Sequence, residues 1–116
     1  MSNLAFINTK FINFKDAKIH IEDRGLQFAD SIYEVIPICN NKLLDLEFHF
    51  FHLKYSINEL GINYNVDKKK LIRIFNKLIK NDSVNNGIIY LQITRGVQSR
   101  EHIYKSKLKP TVIIYC

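Results

Sequence analysis

The hydrophobic pattern divides the chain into three stretches. The first reads as short strands. Leu4 to Ile7 and Phe11 to Phe14 flank a polar Asn8-Thr9-Lys10 turn, the arrangement of a hairpin. Ala17-Lys18-Ile19-His20-Ile21 alternates apolar and polar residues, the period of a half-buried strand, and Glu22-Asp23-Arg24-Gly25 breaks it. Ser31 to Cys39 is rich in Ile, Val and Tyr and predicts a further strand. Asn40-Asn41 suits a tight turn, because Asn tolerates positive φ, and Lys42-Leu43-Leu44 then returns antiparallel.

The middle stretch has helical spacing. Leu46, Phe50, Leu53, Ile57 and Leu60 recur on one face, with Asp45 placed to cap the start and Gly61 to end the helix in a left-handed conformation. A second helix begins at the N-cap Asp67. Its apolar face is Leu71, Ile72, Phe75, Leu78 and Ile79, and Lys77 and Lys80 near its end complement the helix dipole. After a turn at Asn85-Asn86-Gly87, Ile88 to Thr94 and Thr111 to Tyr115 read as strands. The polar, basic connection Arg95 to Pro110 between them is long, and long ordered loops are often functional. Strands, two helices and strands again predict an α+β fold: a mainly antiparallel sheet with two helices packed on one face. At 116 residues, 1–116 is read as one domain around a single core.

Composition adds little to this picture. Apolar residues at 47% and charged residues at 24% are ordinary for a soluble globular domain. The apolar runs are too short to span a bilayer, and the first residues lack the form of a signal peptide, so a cytoplasmic location is expected. Cys39 and Cys116 have neither disulfide-framework nor metal-ligand spacing; one core and one terminal cysteine is the expectation. The net charge of +6 permits nucleic-acid binding, but no groove-reading motif accompanies it, and lysine is abundant throughout.

Three segments carry candidate chemistry. In the loop that follows Thr94-Arg95-Gly96, Arg100 and His102 stand two residues apart. Arg offers a planar fork of donors and His adds one more, so together they suit a carboxylate or phosphate. The plain alternative is a surface ion pair for Arg100 and a solvated His102. Tyr33, within an apolar strand, reads by itself as a core tyrosine. Glu47, His49 and His52 share one helix and invite a metal reading. Two imidazoles without a third convergent ligand support it poorly, and no metal site is expected.

Asp23-Arg24-Gly25, Gln27-Phe28-Ala29-Asp30 and Tyr33-Glu34-Val35 in order, followed by Thr94-Arg95-Gly96 and Arg100-Glu101-His102, resemble the D-amino-acid aminotransferases, class IV pyridoxal-phosphate enzymes. The resemblance runs essentially end to end and implies the N-terminal domain of that fold. It implies that Tyr33, Arg100 and His102 hold the substrate carboxylate, with the arginine and histidine reaching in from the other subunit of a homodimer. The implied cofactor is pyridoxal 5'-phosphate and the implied substrates are D-amino acids and 2-oxo acids.

Several positions depart from the family pattern. The family's Schiff-base lysine lies in a second, C-terminal domain beyond the strand matching Thr111 to Tyr115, and no residue here is assigned a catalytic role. Lys105, Lys107 and Lys109 lie in a polar loop that would not desolvate them. At the family's phosphate-binding arginine stands His52, the one cofactor-binding residue expected here. Phe48 and Phe51 replace positions that tend to be charged, Ser99 precedes Arg100, and Ile103-Tyr104-Lys105 follows His102. The expectation is a truncated or split transaminase, inactive alone, that pairs as a homodimer or with a separately encoded C-terminal half. A non-catalytic domain that binds amino-acid carboxylates is the alternative.

Overall fold

The computed structural model describes residues 2–116. Six strands form one sheet: β1 (Leu4–Ile7), β2 (Lys10–Asn13), β3 (Ser31–Cys39), β4 (Lys42–Leu43), β5 (Gly87–Thr94) and β6 (Thr111–Tyr115). Their order across the sheet is β2-β1-β6-β5-β3-β4, and every neighbouring pair is antiparallel. Three α-helices accompany it: α1 (Arg24–Phe28), α2 (Leu46–Leu60) and α3 (Lys68–Asp82). The expected α+β architecture is what forms, with α2 packed on β3, and α3 on β1 and β6.

Strand alternation explains where the core lies. In register, Ile32 faces Ile93, Glu34 faces Leu91 and Ile36 faces Ile89, while Ile114 lies beside Leu91 and Phe6 beside Ile114. These side chains share one face and are buried with Phe50, Leu53 and Ile57 of α2 and Leu71, Ile74, Phe75, Leu78 and Ile79 of α3. The opposite face carries Tyr33, Val35, Ile88, Tyr90, Gln92 and Tyr115; the rings of Tyr33 and Tyr90 stack at 6.0 Å. Tyr33 is therefore not a core tyrosine: it falls out of phase with Ile32 and Ile36 and is 61% exposed.

The helix ends follow the local chemistry in part. Asp67 caps α3 by accepting from the Lys70 N–H, and Gly61 ends α2 with φ of 63°. Asp45 does not cap α2. It takes a left-handed conformation itself, with φ of 52°, and its carboxylate makes no capping bond. Ala17 to Ile21 forms no strand. The hairpin gives way to a 3-10 turn at Phe14–Asp16, and the segment after it runs over the surface with Ile19 and Ile21 exposed. Where the alternation was expected to break, Asp23 instead starts α1 by accepting from the Gly25 N–H at 2.8 Å. Cys39 is exposed at the end of β3 rather than in the core. Cys116 is half-buried, and burial, then the charge of Asp82, pushes its thiol up to about 11.

The two faces of β5 should respond differently to truncation. Leu91→Ala, at the centre of the core face, is expected to lose about 2–5 kcal/mol in urea unfolding followed by circular dichroism. Ile88→Ala, on the open face, is expected to stay within about 0.5 kcal/mol of the wild type.

Candidate functional site

Asp30 sits between α1 and β3, and one of its carboxylate oxygens receives two buried guanidinium groups, Arg24 Nε at 2.9 Å and Arg95 Nε at 2.7 Å. The remaining donors reach outward to main-chain carbonyls. Arg24 donates to Glu101 and His102 in the long loop, at 2.6 and 3.3 Å. Arg95 donates to Leu60 and Gly61, the last carbonyls of α2, at 2.5 and 3.1 Å, where a cation also suits the helix dipole. The Tyr104 ring covers both arginines, 3.7 Å from the Arg95 guanidinium carbon and 5.4 Å from that of Arg24. Burial alone would raise the Asp30 carboxyl, but hydrogen bonds from Arg95 and Arg24, together with their charges, outweigh it and hold the group below its ordinary range.

Two glycines make this packing possible. A Cβ at Gly25 would lie 2.4 Å from Thr94 Cγ2, so only glycine lets α1 rest against the end of β5. Gly96 has φ of 123°, and a Cβ there would lie 2.2 Å from the Lys109 carbonyl oxygen. The loop that Gly96 opens is closed around the buried Gln98 amide, which donates to the Ile103 carbonyl at 3.0 Å and accepts from the Lys105 N–H at 2.9 Å.

Arg100 and His102 meet over one ring. The Arg100 guanidinium carbon lies 5.2 Å from the Phe28 centroid, the His102 ring 5.5 Å from it, and Arg24 occupies a third side at 4.4 Å. Arg100 pairs with no acid among the described residues, so the surface ion pair considered for it does not form. Both side chains are exposed, and no hydrogen bond or ring contact joins either to Tyr33.

Tyr33 belongs to a second locus. β4 pairs only with Ile38 and Cys39, which leaves the first half of β3 with a free edge. A cleft of about 580 Å³ lies along that edge, lined by Ser31, Tyr33, Glu34, His52 and Ser56. Glu34 points to the helix side and is buried at 6% exposure. A lone carboxylate there would be costly. Both of its oxygens are instead paired, Oε1 with His49 Nδ1 at 2.7 Å and Oε2 with His52 Nδ1 at 2.5 Å. Each imidazole therefore carries a proton on Nδ1 and keeps Nε2 for another partner. Glu47, grouped with these histidines by sequence, turns instead to Lys68 at 3.0 Å. Glu34 went unassigned in the sequence, although its phase with Ile32, Ile36 and Ile38 put a carboxylate on the buried face.

The sequence profile of the family Amino-transferase class IV matches residues 31–116. The chain belongs to the class IV aminotransferases. Among relatives of this aminotransferase chain, the D-alanine aminotransferase of Staphylococcus epidermidis is 39% identical over 111 residues, covering 95% of the chain and 39% of the relative. That of Listeria monocytogenes is 36% identical over 98 residues, covering 84% and 34%. The fold is also that of solved class IV enzymes. The branched-chain amino acid aminotransferase of Escherichia coli superposes with a TM-score of 0.90 at 17% identity, over 99% of this chain and 39% of that one. The T.th. branched-chain enzyme, solved with N-(5'-phosphopyridoxyl)-L-glutamate, gives 0.86 at 15% identity, over 98% and 40%. The chain thus spans about two fifths of the length of the aminotransferases it matches.

The Asp30 clasp makes a pH prediction. The Asp30 pKa is lower in the folded chain than in the unfolded one, so its stabilisation is complete above about pH 4 and is lost as pH falls through the folded value. Asp30→Asn should cost about 3–5 kcal/mol at neutral pH, because two buried guanidinium groups lose their counter-charge. In urea titrations across an acid series, the variant should also show a flatter decline below pH 4 than the wild type.

Proposed function

We propose that these residues are the substrate-gripping portion of a D-amino-acid transaminase, in which Tyr33, Arg100 and His102 bind the carboxylate of a D-amino acid or 2-oxo acid. The observation that carries this reading is the placement of Arg100 and His102 together on Phe28, apart from the cleft that Tyr33 lines. Two half-sites on one chain suit a homodimer in which each copy completes the cleft of the other. Arg and His then clamp the carboxylate from one side and Tyr33 from the other, which fixes the hand of the substrate α-carbon. Loop residues Gln98 and Tyr104, with Arg24 of α1, hold that clamp in place rather than touching substrate.

The donors beside Tyr33 fit the phosphate end of pyridoxal 5'-phosphate. With Nδ1–H held by Glu34, His52 would give a second N–H, from Nε2, to a phosphate only in its imidazolium form, and the Ser31 hydroxyl, which accepts from Gln92 at 2.9 Å, has its proton to give. Ser56 lines the same cleft. His52 and these hydroxyls would hold the phosphate; the cofactor, when bound, supplies the electron sink for reaction at the α-carbon. An imidazole brings fewer donors and less charge at neutral pH than an arginine, so phosphate affinity is expected to be modest.

The chain alone is proposed to be inactive and to need a separately folded portion that bears the Schiff-base lysine. Twelve of its thirteen lysines are exposed, and the half-buried Lys68 is paired with Glu47, so none stands in the desolvated setting that activates an amine. A carboxylate-binding domain without chemistry is the second reading, favoured by the same exposed Arg100–His102 pair beside unactivated lysines.

Pyridoxal phosphate added to the purified chain should leave no borohydride-fixed adduct at a single lysine; such an adduct, or steady transamination, would overturn the inactive reading. D-Alanine or D-glutamate should raise the thermal midpoint, and Arg100→Ala should remove that protection. Adding a lysine-bearing C-terminal half should restore turnover if the transaminase reading holds, whereas ligand protection without turnover in that mixture would leave the binding-domain reading.

A further inference from the structure

The positive charge of the chain is concentrated on α3. This helix holds Lys68, Lys69, Lys70, Arg73, Lys77 and Lys80 against a single acid, Asp82. Lys68 pairs with Glu47, but Lys70, Arg73 and Lys77 meet no carboxylate among the described residues. Their spacing of three and then four residues puts these three cations on one side of the helix, together with Ile74. That side looks onto the N-terminal hairpin across a cleft of about 230 Å³, whose other walls are Phe6, Thr9 and Phe11. The gap has a structural origin. α3 packs on β1 and β6, and β2 is the outermost strand, so Phe11 is only partly covered.

We propose that this cleft binds a small carboxylate that carries one aromatic ring. The floor is apolar: Phe6 and Ile74 are buried, and the Phe6 and Phe11 rings meet edge to face with centroids 5.2 Å apart. A further ring fits against such a pair. The rim is cationic. Lys77 Nζ is held 4.2 Å from the Phe11 centroid, and Arg73 and Lys70 stand beside it without counter-ions. Arg73 presents a fork of parallel donors that matches a carboxylate, and the two ammonium groups flank it. The Thr9 hydroxyl on the opposite lip can donate to the same group.

Size and charge together select this ligand class. An apolar cavity of about 150 Å³ admits benzene, so the cleft holds one ring and a short acidic arm. A bilayer suits the site poorly, because the apolar residues of α3 (Leu71, Phe75, Leu78 and Ile79) are spent in the core and cannot insert. A polyphosphate backbone would engage the cations and leave the aromatic floor unused. The cleft shares no residue with Tyr33, Arg100 or His102, so the proposal stands or falls separately from the transaminase reading.

Titration of the full, isotope-labelled chain with phenylpropionate, followed by amide chemical shifts, tests it. Shifts are expected at Thr9, Phe11, Ile74 and Lys77, with a dissociation constant of about 1–10 mM. Propionate, which lacks the ring, and phenylpropanol, which lacks the charge, should each bind at least about tenfold more weakly. Arg73→Gln should weaken phenylpropionate at least about fivefold with an unchanged circular dichroism spectrum, because Arg73 is exposed. Arg100→Ala should leave this binding as it is. No shift at those four amides, or equal affinity for the alcohol and the acid, would sink the proposal. Displacement by heparin or by inorganic phosphate at matched concentration would also count against it, since the site would then read charge alone. Shifts confined to Phe28 and residues 96–110 and abolished by Arg100→Ala would assign the ligand to the other site instead.

Discussion

The carboxylate of Asp30 lies between two buried guanidinium groups, and every segment bearing candidate chemistry is tied to the others through it. Arg24 extends from it to the main chain of Glu101 and His102, and Arg95 to the end of α2. The cost of burying two arginines is met by one counter-charge, four carbonyls and the ring of Tyr104. A loop from Gly96 to Pro110 has few apolar anchors of its own, so this clasp and the bonds of the Gln98 amide hold Arg100 and His102 over Phe28. The aspartate and arginine of the two motifs are therefore structural, and Arg100 and His102 beside them are left exposed.

Glu34 is a second buried carboxylate held between two side chains, here imidazoles instead of guanidinium groups. A carboxylate in phase with isoleucines would normally disrupt a sheet–helix interface, and here two histidines on α2 accept it into the packing. The arrangement fixes α2 against β3 and sets the ring orientation of His52 at the cleft. One buried acid thus governs both a packing contact and the protonation pattern of an imidazole at the candidate site.

Much of this was legible in the sequence. The bounds of β1, β3 and β6, the N-cap at Asp67 and the left-handed Gly61 follow from short-range chemistry, which is where single-sequence reading is strong. The failures have long-range causes. Ala17 to Ile21 alternates correctly but has no neighbouring strand to pair with, and alternation without a partner is not a strand. The helix at Arg24–Phe28 is too short to show a period; it is specified by the Asp23 cap and by the fit of Gly25 against Thr94. Asp45 was chosen by residue type as a cap, yet its backbone is turned left-handed by the chain's entry into α2. At the site, the pairing of Arg100 with His102 was readable from spacing, whereas the Arg24–Asp30–Arg95 clasp joins residues up to 71 positions apart and no local pattern reports it.

The order of strands has a consequence for how the domain comes off the ribosome. β6 lies between β1 and β5, so the N-terminal hairpin, although made first, has no place on the sheet until Thr111–Tyr115 has left the exit tunnel. β3, β4, β5 and the two long helices contain most of the core and can assemble earlier, as a nascent unit with one raw edge. The hairpin must wait for Thr111–Tyr115 before that edge is capped, and during that interval the unpaired edge of β5 is open to pairing with another chain.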